Sequence, residues 1–223
     1  MAPDAALVER FAAHLDALVE PGAPLGVAVS GGPDSLALLM LAAAARAGRV
    51  SAATVDHRLR PGSNAEAEVV AAVCARLAVP HDTLRLDWPE PPDSNIQARA
   101  RDARYAALAG WAADRGLAAV ATAHHADDQA ETLLMRLARG SGVGGLAGVQ
   151  PRRPLGHGRL LVRPLLGWRR SDLAGIAAAA GLVPVDDPAN RDARFDRTRA
   201  RDLLAATDWL HASRLGAAAA NCD

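Results

Sequence analysis

Short apolar runs alternate along this chain with longer segments in which apolar residues recur every three or four positions. The short runs predict buried strands, and the longer segments predict helices that pack on them. Residues 4–20 predict an amphipathic first helix. The segments after it alternate strictly: strand 25–30, helix 34–47, strand 50–55, helix 64–78, strand 82–87, helix 95–115, strand 117–122 and helix 126–139. This order predicts an α/β fold, a doubly wound parallel sheet with helices on both faces.

The pattern changes after residue 140. Residues 141–148 predict a flexible loop, because four of the eight are glycines. A short strand is expected at 159–163, followed by helices at 171–180 and 196–207. Residues 216–223 carry little that could fix them, so we expect a disordered tail.

The turn between the first strand and its helix reads Ser-Gly-Gly-Pro-Asp-Ser. Two glycines allow a sharp turn that brings backbone N–H groups close to an anion, and the start of the helix adds partial positive charge. The turn therefore predicts a phosphate cradle built from Ser30, Gly31, Gly32, Pro33, Asp34 and Ser35. A triphosphate-binding P-loop would need a Lys, and this chain has none. A carboxylate would repel phosphate unless a cation lay between them, so Asp34 implies Mg²⁺.

Polar residues also follow the second and fourth predicted strands. Asp56 and His57 end the second strand and are placed to border the rest of a nucleotide, although a charged loop would look the same. A denser group follows the fourth strand: His124, His125, Asp127, Asp128 and Glu131. The carboxylates suit Mg²⁺, and the imidazoles suit phosphate contact or proton transfer. Zinc is the weaker alternative. Ligands of doubly wound sheets bind beyond the carboxyl ends of the strands, which predicts one shared site.

Charge is divided unevenly along the chain. Residues 1–150 hold 13 Arg against 17 acidic residues, whereas residues 151–223 hold 12 Arg against 8. A basic segment beside a phosphate site indicates a nucleic-acid partner, although a solvated surface has the same composition. The arginines that we expect to contact RNA backbone are Arg101, Arg104, Arg139, Arg163 and Arg197. We expect one domain, residues 1–215, with a nucleotide-binding core at about 22–140 and a basic segment at 141–215.

Other compositional features narrow the function classes. Cys74 and Cys222 are far apart and no Cys-x-x-Cys occurs, which argues against a cysteine-held iron–sulfur cluster or zinc site. The sequence shows neither a signal peptide nor an apolar stretch that could span a bilayer, so we expect a cytoplasmic protein with no membrane partner. The residues leave the oligomeric state open, with a homodimer as one option.

The motifs together resemble those of the tRNA(Ile)-lysidine synthase family, within the PP-loop ATP pyrophosphatases. They occur in the family order, as SGGxDS, DHxLR, NxxxxARxxRY, AHHxxDQxET, RGSG, RPL and DPxN. The resemblance implies a ligase that uses ATP and Mg²⁺. Carbon 2 of the wobble cytidine in a CAU-anticodon isoleucine tRNA would be adenylated with loss of pyrophosphate. The amine of free L-lysine would then displace AMP, which changes codon reading from AUG to AUA.

The resemblance also implies roles for the residues already named. ATP would be bound by residues 30–35 together with Asp56 and His57, and Mg²⁺ by Asp34 and Asp127. The implied catalytic residues are Asp34, His124, His125, Asp127 and Asp128. One position departs from the family pattern, because Thr198 stands where an Asn is usual. The alternatives are another PP-loop enzyme, such as a tRNA cytidine thiolase, whose cysteines are missing here, and a degraded nucleotide-binding module without catalysis.

Overall fold

The structure is a computed structural model that describes residues 2–58, 63–87, 96–182 and 196–222. The described residues form six strands: β1 Leu25–Ala28, β2 Val50–Asp56, β3 His81–Arg85, β4 Ala119–Ala121, β5 Arg152–Gly156 and β6 Arg159–Val162. The helices are α1 Ala5–Asp16, α2 Pro33–Ala45, α3 Ser63–Arg76, α4 Ile96–Asp114, α5 Ala126–Ala138, α6 Val143–Leu146, α7 Arg170–Ala179, α8 Asp196–Ala205 and α9 Ala212–Ala220. Parts of three sequence motifs, around Arg60, Asn95 and residues 186–190, lie outside the described residues.

The strands form one mostly parallel sheet in the order β3-β2-β1-β4-β6-β5. Leu25 of β1 lies opposite Val50 on one side and Ala119 on the other, and only the edge strand β5 runs antiparallel to its neighbour, β6. The predicted α/β fold with a parallel sheet is thereby confirmed. Because β1, β2, β4 and β6 run the same way, the segments that follow them meet at one edge of the sheet, here called the carboxyl edge.

Two apolar layers cover the sheet. Helix α2 is buried along most of its length, with the Phe11 and Leu15 side chains of α1 in the same core. On the other face α4 contributes Tyr105, Leu108 and Trp111. The Trp111 ring lies so close to β1 that a Cβ at Gly26 would stand 2.7 Å from its Cζ3 atom. Glycine therefore lets α4 pack directly on the strand backbone.

The second half of the chain differs from the sequence prediction in three places. Strand β5 was missed, and it joins β6 through His157 and Gly158, which both have positive φ as a type I′ hairpin turn requires. The predicted loop at 141–148 contains the short helix α6. The expected disordered tail is instead helical through Ala220, because the small residues of α9 pack closely on α5.

The described helices include none that combines the length and the apolar character needed to cross a membrane.

Candidate functional site at the carboxyl edge

The phosphate cradle predicted from the sequence is a tight turn between β1 and α2. Gly31 is buried with φ +84°, a conformation that favours glycine. The Ser35 hydroxyl accepts a hydrogen bond from the Ser30 N–H at 3.1 Å and donates one to the Gly32 carbonyl at 2.9 Å. Among the described residues, no side chain forms a hydrogen bond that caps the start of α2. The turn is thus fixed by its own serines and leaves the positive end of the helix to an anion.

Asp34 connects this turn to the start of α5. Its Oδ2 lies 3.4 Å from the Nε2 of His125. Its Oδ1 is buried and has no hydrogen-bond partner among the described residues. A buried carboxylate oxygen without a donor is costly, and a hard cation would satisfy it.

The fit of Mg²⁺ follows from this arrangement. No group of three or more His, Cys, Asp or Glu side chains within the described ranges is arranged to hold a metal by itself. Mg²⁺ is commonly held by one or two carboxylates together with substrate phosphates, and Asp34 beside the phosphate turn suits that mode. The second predicted ligand, Asp127, already accepts a hydrogen bond from the Arg170 N–H at 2.8 Å and contacts His125.

His125 is a buried cation among three carboxylates. Its Nδ1 lies 3.4 Å from Asp127, and its Nε2 lies 3.4 Å from Asp34 and 3.5 Å from Asp128. Burial lowers the pKa of His125, but contacts with Asp127, Asp34 and Asp128 outweigh it and raise the pKa to about 9. Burial raises the pKa of Asp127, while His125 and the Arg170 N–H bring it down to about 2. At neutral pH an imidazolium therefore joins the phosphate turn to α5.

The preceding residue, His124, is uncharged at neutral pH. Its Nδ1 lies 3.0 Å from the Thr122 hydroxyl. Burial lowers the pKa of His124, and the nearby guanidinium groups of Arg163 and Arg104 add to this effect, bringing the pKa to about 2. His124 is thus a neutral imidazole that can take part in a hydrogen bond but is too weak a base to hold a proton at neutral pH, whereas His125 holds its proton.

Glu131, one turn beyond Asp127 on α5, holds two other helices in place. Its side chain is only 1% exposed and accepts hydrogen bonds from Arg170 of α7 at 3.1 Å and from Arg197 and Arg201 of α8 at 2.7 and 3.0 Å. Arg197 also binds Asp128 at 2.7 Å. The sequence prediction missed Arg170 and Arg201. The spacing of Arg197 and Arg201 places both on one face of a helix, which is the signal that could have indicated them.

The five arginines expected to contact RNA have different surroundings. Arg101 and Arg104 lie on α4, with their guanidinium groups over the Tyr105 ring. Arg139 is exposed and pairs with Asp196. The other two are held by other groups of the protein. Arg163 is 2% exposed and donates to the Gln150 carbonyl, and Arg197 is bound by Glu131 and Asp128.

The end of β2 also lies at the carboxyl edge, next to β1. Asp56 is buried, and its carboxylate accepts a hydrogen bond from the Arg58 N–H at 2.9 Å, within its own turn. His57 follows it and is partly buried. The structure therefore brings the predicted residues of three strand ends to one edge of the sheet.

Comparison with known proteins decides the family. A family model described as a PP-loop domain matches residues 7–207. The chain belongs to the PP-loop domain family. Among its relatives are proteins named tRNA(Ile)-lysidine synthase, which confirms the resemblance seen in the motifs. That of Novosphingobium aromaticivorans is 50% identical over 214 residues, covering 95% of this chain and 65% of the relative. That of Ruegeria pomeroyi is 48% identical over 221 residues, covering 96% and 52%.

The chain thus spans about half to two thirds of the length of these curated relatives. Solved structures show the same fold at low sequence identity. The U34-tRNA thiolase NcsA of Methanococcus maripaludis has a TM-score of 0.76 at 13% identity, covering 97% of this chain and 78% of the thiolase. An NMN synthetase from Francisella tularensis has a TM-score of 0.60 at 12% identity, covering 97% and 90%. At these identities the likeness concerns the fold alone.

Proposed function

We propose that this PP-loop domain catalyses the ATP-dependent formation of lysidine on a CAU-anticodon isoleucine tRNA. Oxygen 2 of the wobble cytidine attacks the α-phosphorus of ATP, and pyrophosphate leaves. The amine of free L-lysine then forms a bond to carbon 2, AMP leaves with that oxygen, and the amine loses a proton. The observation that carries the proposal is the contact between Asp34 and His125, which joins the phosphate turn to the polar start of α5.

The residues of the site have distinct parts in this reaction. The turn at residues 30–35 binds the pyrophosphate portion of ATP through backbone N–H groups and the start of α2. Mg²⁺, held by Asp34 and phosphate oxygens, would neutralise charge on the leaving pyrophosphate. His125 holds Asp34 and Asp127 in place as a cation. His124, being neutral, is suited to hydrogen-bond a reacting group.

The names of the relatives support the choice of reaction within the fold family. Relatives about half identical to this chain carry the lysidine synthase name. The cysteines do not support a thiolase function, because Cys74 is buried and Cys222 lies in the turn after α9. Arg101 and Arg139 are exposed members of the predicted RNA-contacting set, so both are accessible to the backbone of an RNA substrate.

The test is product analysis with purified protein, ATP, Mg²⁺, L-lysine and CAU-anticodon tRNA, each omitted in turn. We expect AMP and pyrophosphate to be released, and mass spectrometry of the digested tRNA to show lysine added to the wobble cytidine, only when all are present. Asp34→Asn should abolish AMP formation while the protein stays folded. Its unfolding temperature should fall only modestly, because the pairing of Oδ2 with His125 is lost but Asp127 and Asp128 still face that residue.

Asp114→Asn is the matched control, since Asp114 is exposed at the far end of α4. It should leave the rate unchanged. Release of ADP and orthophosphate as the main products would contradict the proposed adenylation. ATP binding without any turnover would instead favour the non-catalytic module.

A further inference from the structure

The single tyrosine of the chain, Tyr105, is surrounded by guanidinium groups. The Cζ atoms of Arg101, Arg104 and Arg153 lie 5.1, 5.0 and 4.6 Å from the ring centroid. A fourth guanidinium, that of Arg163, interacts with the same phenol. We call these residues the arginine cluster: Arg101, Arg104, Arg153 and Arg163. They come from α4, from β5 and from the segment after β6.

The positive charge of the arginine cluster is not balanced within the described part of the chain. None of the carboxylates described there lies within ion-pairing distance of the cluster. The Nε atoms of Arg104 and Arg163 are buried and have no hydrogen-bond partner in the same part. Burial lowers the pKa of Arg163, and the charges of Arg153 and Arg101 add to this fall, while Tyr105 opposes it. Arg163 is buried, Arg104 and Arg153 are partly buried and Arg101 is exposed, so the arginine cluster is open to solvent on one side. Like charges held together without a counterion are costly, and an anion that reaches the cluster from that side would offset the cost.

The position of the arginine cluster links it to the site already described. Arg163 directly follows β6 and therefore lies at the carboxyl edge. Arg163, Arg104 and Arg101 all contribute to the low pKa of His124, which follows the neighbouring strand β4. An anion held by the cluster would thus lie near His124.

We propose that the arginine cluster binds one phosphate group. Guanidinium groups present planar pairs of donors that match phosphate oxygens, and the stacking on Tyr105 fixes their directions before a ligand arrives. RNA backbone and nucleotide share this chemistry, and the inference rests on the proposed function only in expecting one of these two sources. Arg153 is the member that sequence reasoning did not find, because β5 itself was missed.

Tyr105 provides a direct probe. Because the chain has one tyrosine, labelling with [¹³Cζ]tyrosine gives one NMR signal, whose shift follows ionisation of the phenol. Burial raises the pKa of Tyr105, but Arg104 and Arg101 outweigh this and lower it. A bound phosphate cancels part of the positive field. Inorganic phosphate should therefore raise the midpoint of the Tyr105 titration, relative to chloride at the same ionic strength.

Substitutions in β5 show whether the arginine cluster is responsible for phosphate binding. Arg153→Gln should weaken phosphate binding about tenfold or more, as expected for loss of a charge-assisted hydrogen bond. Arg153→Lys, which keeps the positive charge, should lose less affinity for phosphate. Arg152→Gln is the matched control, because Arg152 is the exposed neighbour on the same strand, and it should bind as the unmodified protein does. Equal binding by the Arg153→Gln and Arg152→Gln proteins would overturn the proposal.

Two further ligands identify the source of the phosphate. One arm of the experiment titrates ATP and pyrophosphate separately. The other arm titrates a single-stranded oligoribonucleotide with the sequence of the anticodon loop. The ligand that moves the Tyr105 signal and loses affinity in Arg153→Gln is the source. If phosphate, ATP, pyrophosphate and RNA all fail to move the Tyr105 signal, the proposed phosphate site is wrong, even where the protein is active. Movement without lysidine formation leaves the phosphate site supported and counts against the proposed reaction alone.

Discussion

Replacing Glu131 by Gln tests whether one buried carboxylate holds α7 and α8 against α5. Glutamine has nearly the same shape and keeps one acceptor oxygen, but it removes the charge that faces Arg170, Arg197 and Arg201. Burial raises the pKa of Glu131, while Arg197 and Arg201 outweigh it and lower the pKa, so the residue is ionised at neutral pH. The substitution therefore removes the anion that three guanidinium groups share, and Arg197 keeps its pairing with Asp128.

The size of the effect follows from burial. Breaking a buried ion pair by removing one partner costs about 3–5 kcal/mol. The side chains of Arg170, Arg197 and Arg201 are 31, 45 and 33% exposed, so water recovers part of this cost. We expect Glu131→Gln to lower the free energy of unfolding by about 2–3 kcal/mol, and the midpoint of thermal unfolding by roughly 5–10 °C for a domain of this size.

Urea unfolding followed by circular dichroism measures the loss, and amide hydrogen exchange locates it. Exchange should accelerate in α8 and remain slow in α2. Asp196→Asn is the control on the same helix, because it removes the exposed Arg139–Asp196 pair, whose side chains are 64 and 51% exposed. Such exposed pairs contribute little to stability, because solvent screens them. Equal stability of the Glu131→Gln and Asp196→Asn proteins would refute the reasoning.

Two further perturbations test the charge of His125 and the packing on β1. The pKa of His125 is raised from 6.5 to about 9, so the stability that its charge provides is complete below pH 6.5 and is lost as pH rises through about 9. Thermal unfolding across that range should show the loss, and His125→Gln should flatten the profile; an unchanged slope would contradict the assignment. Gly26→Ala should cost about 1–3 kcal/mol in urea unfolding through collision with Trp111, whereas the control Gly110→Ala, with open space around it, should not destabilise.

Much of the fold could be predicted because its signals are local. Apolar periodicity and the glycines between elements are enough to order four strands and their helices, and parallel connections then bring the strand ends together. Strand β5 is a different case. Its sequence, Arg-Arg-Pro-Leu-Gly, is polar and contains a proline, which only an edge strand tolerates. Helix α9 depends on Gly216 approaching α5, a tertiary contact without a local signal.

The site, too, combines features with local sequence signals and features that depend on tertiary contacts. The phosphate turn was predictable because the serine hydrogen bonds that fix it span only five residues. The pairing of Glu131 with Arg201 joins residues 70 positions apart, and composition cannot choose that partner among so many arginines. The same holds for Arg163, which looks in sequence like any surface arginine and is in fact buried.

The two adjacent histidines show how the fold divides one polar motif into two electrostatic halves. In sequence His124 and His125 are interchangeable, but the turn into α5 directs them to opposite surroundings. His125 lies among Asp34, Asp127 and Asp128, and His124 lies near the arginine cluster. The negative half suits a metal ion or an ammonium group, and the positive half suits phosphate. One peptide bond separates the two surroundings, and the reaction that we propose would take place at their boundary, where His124 is the neutral group.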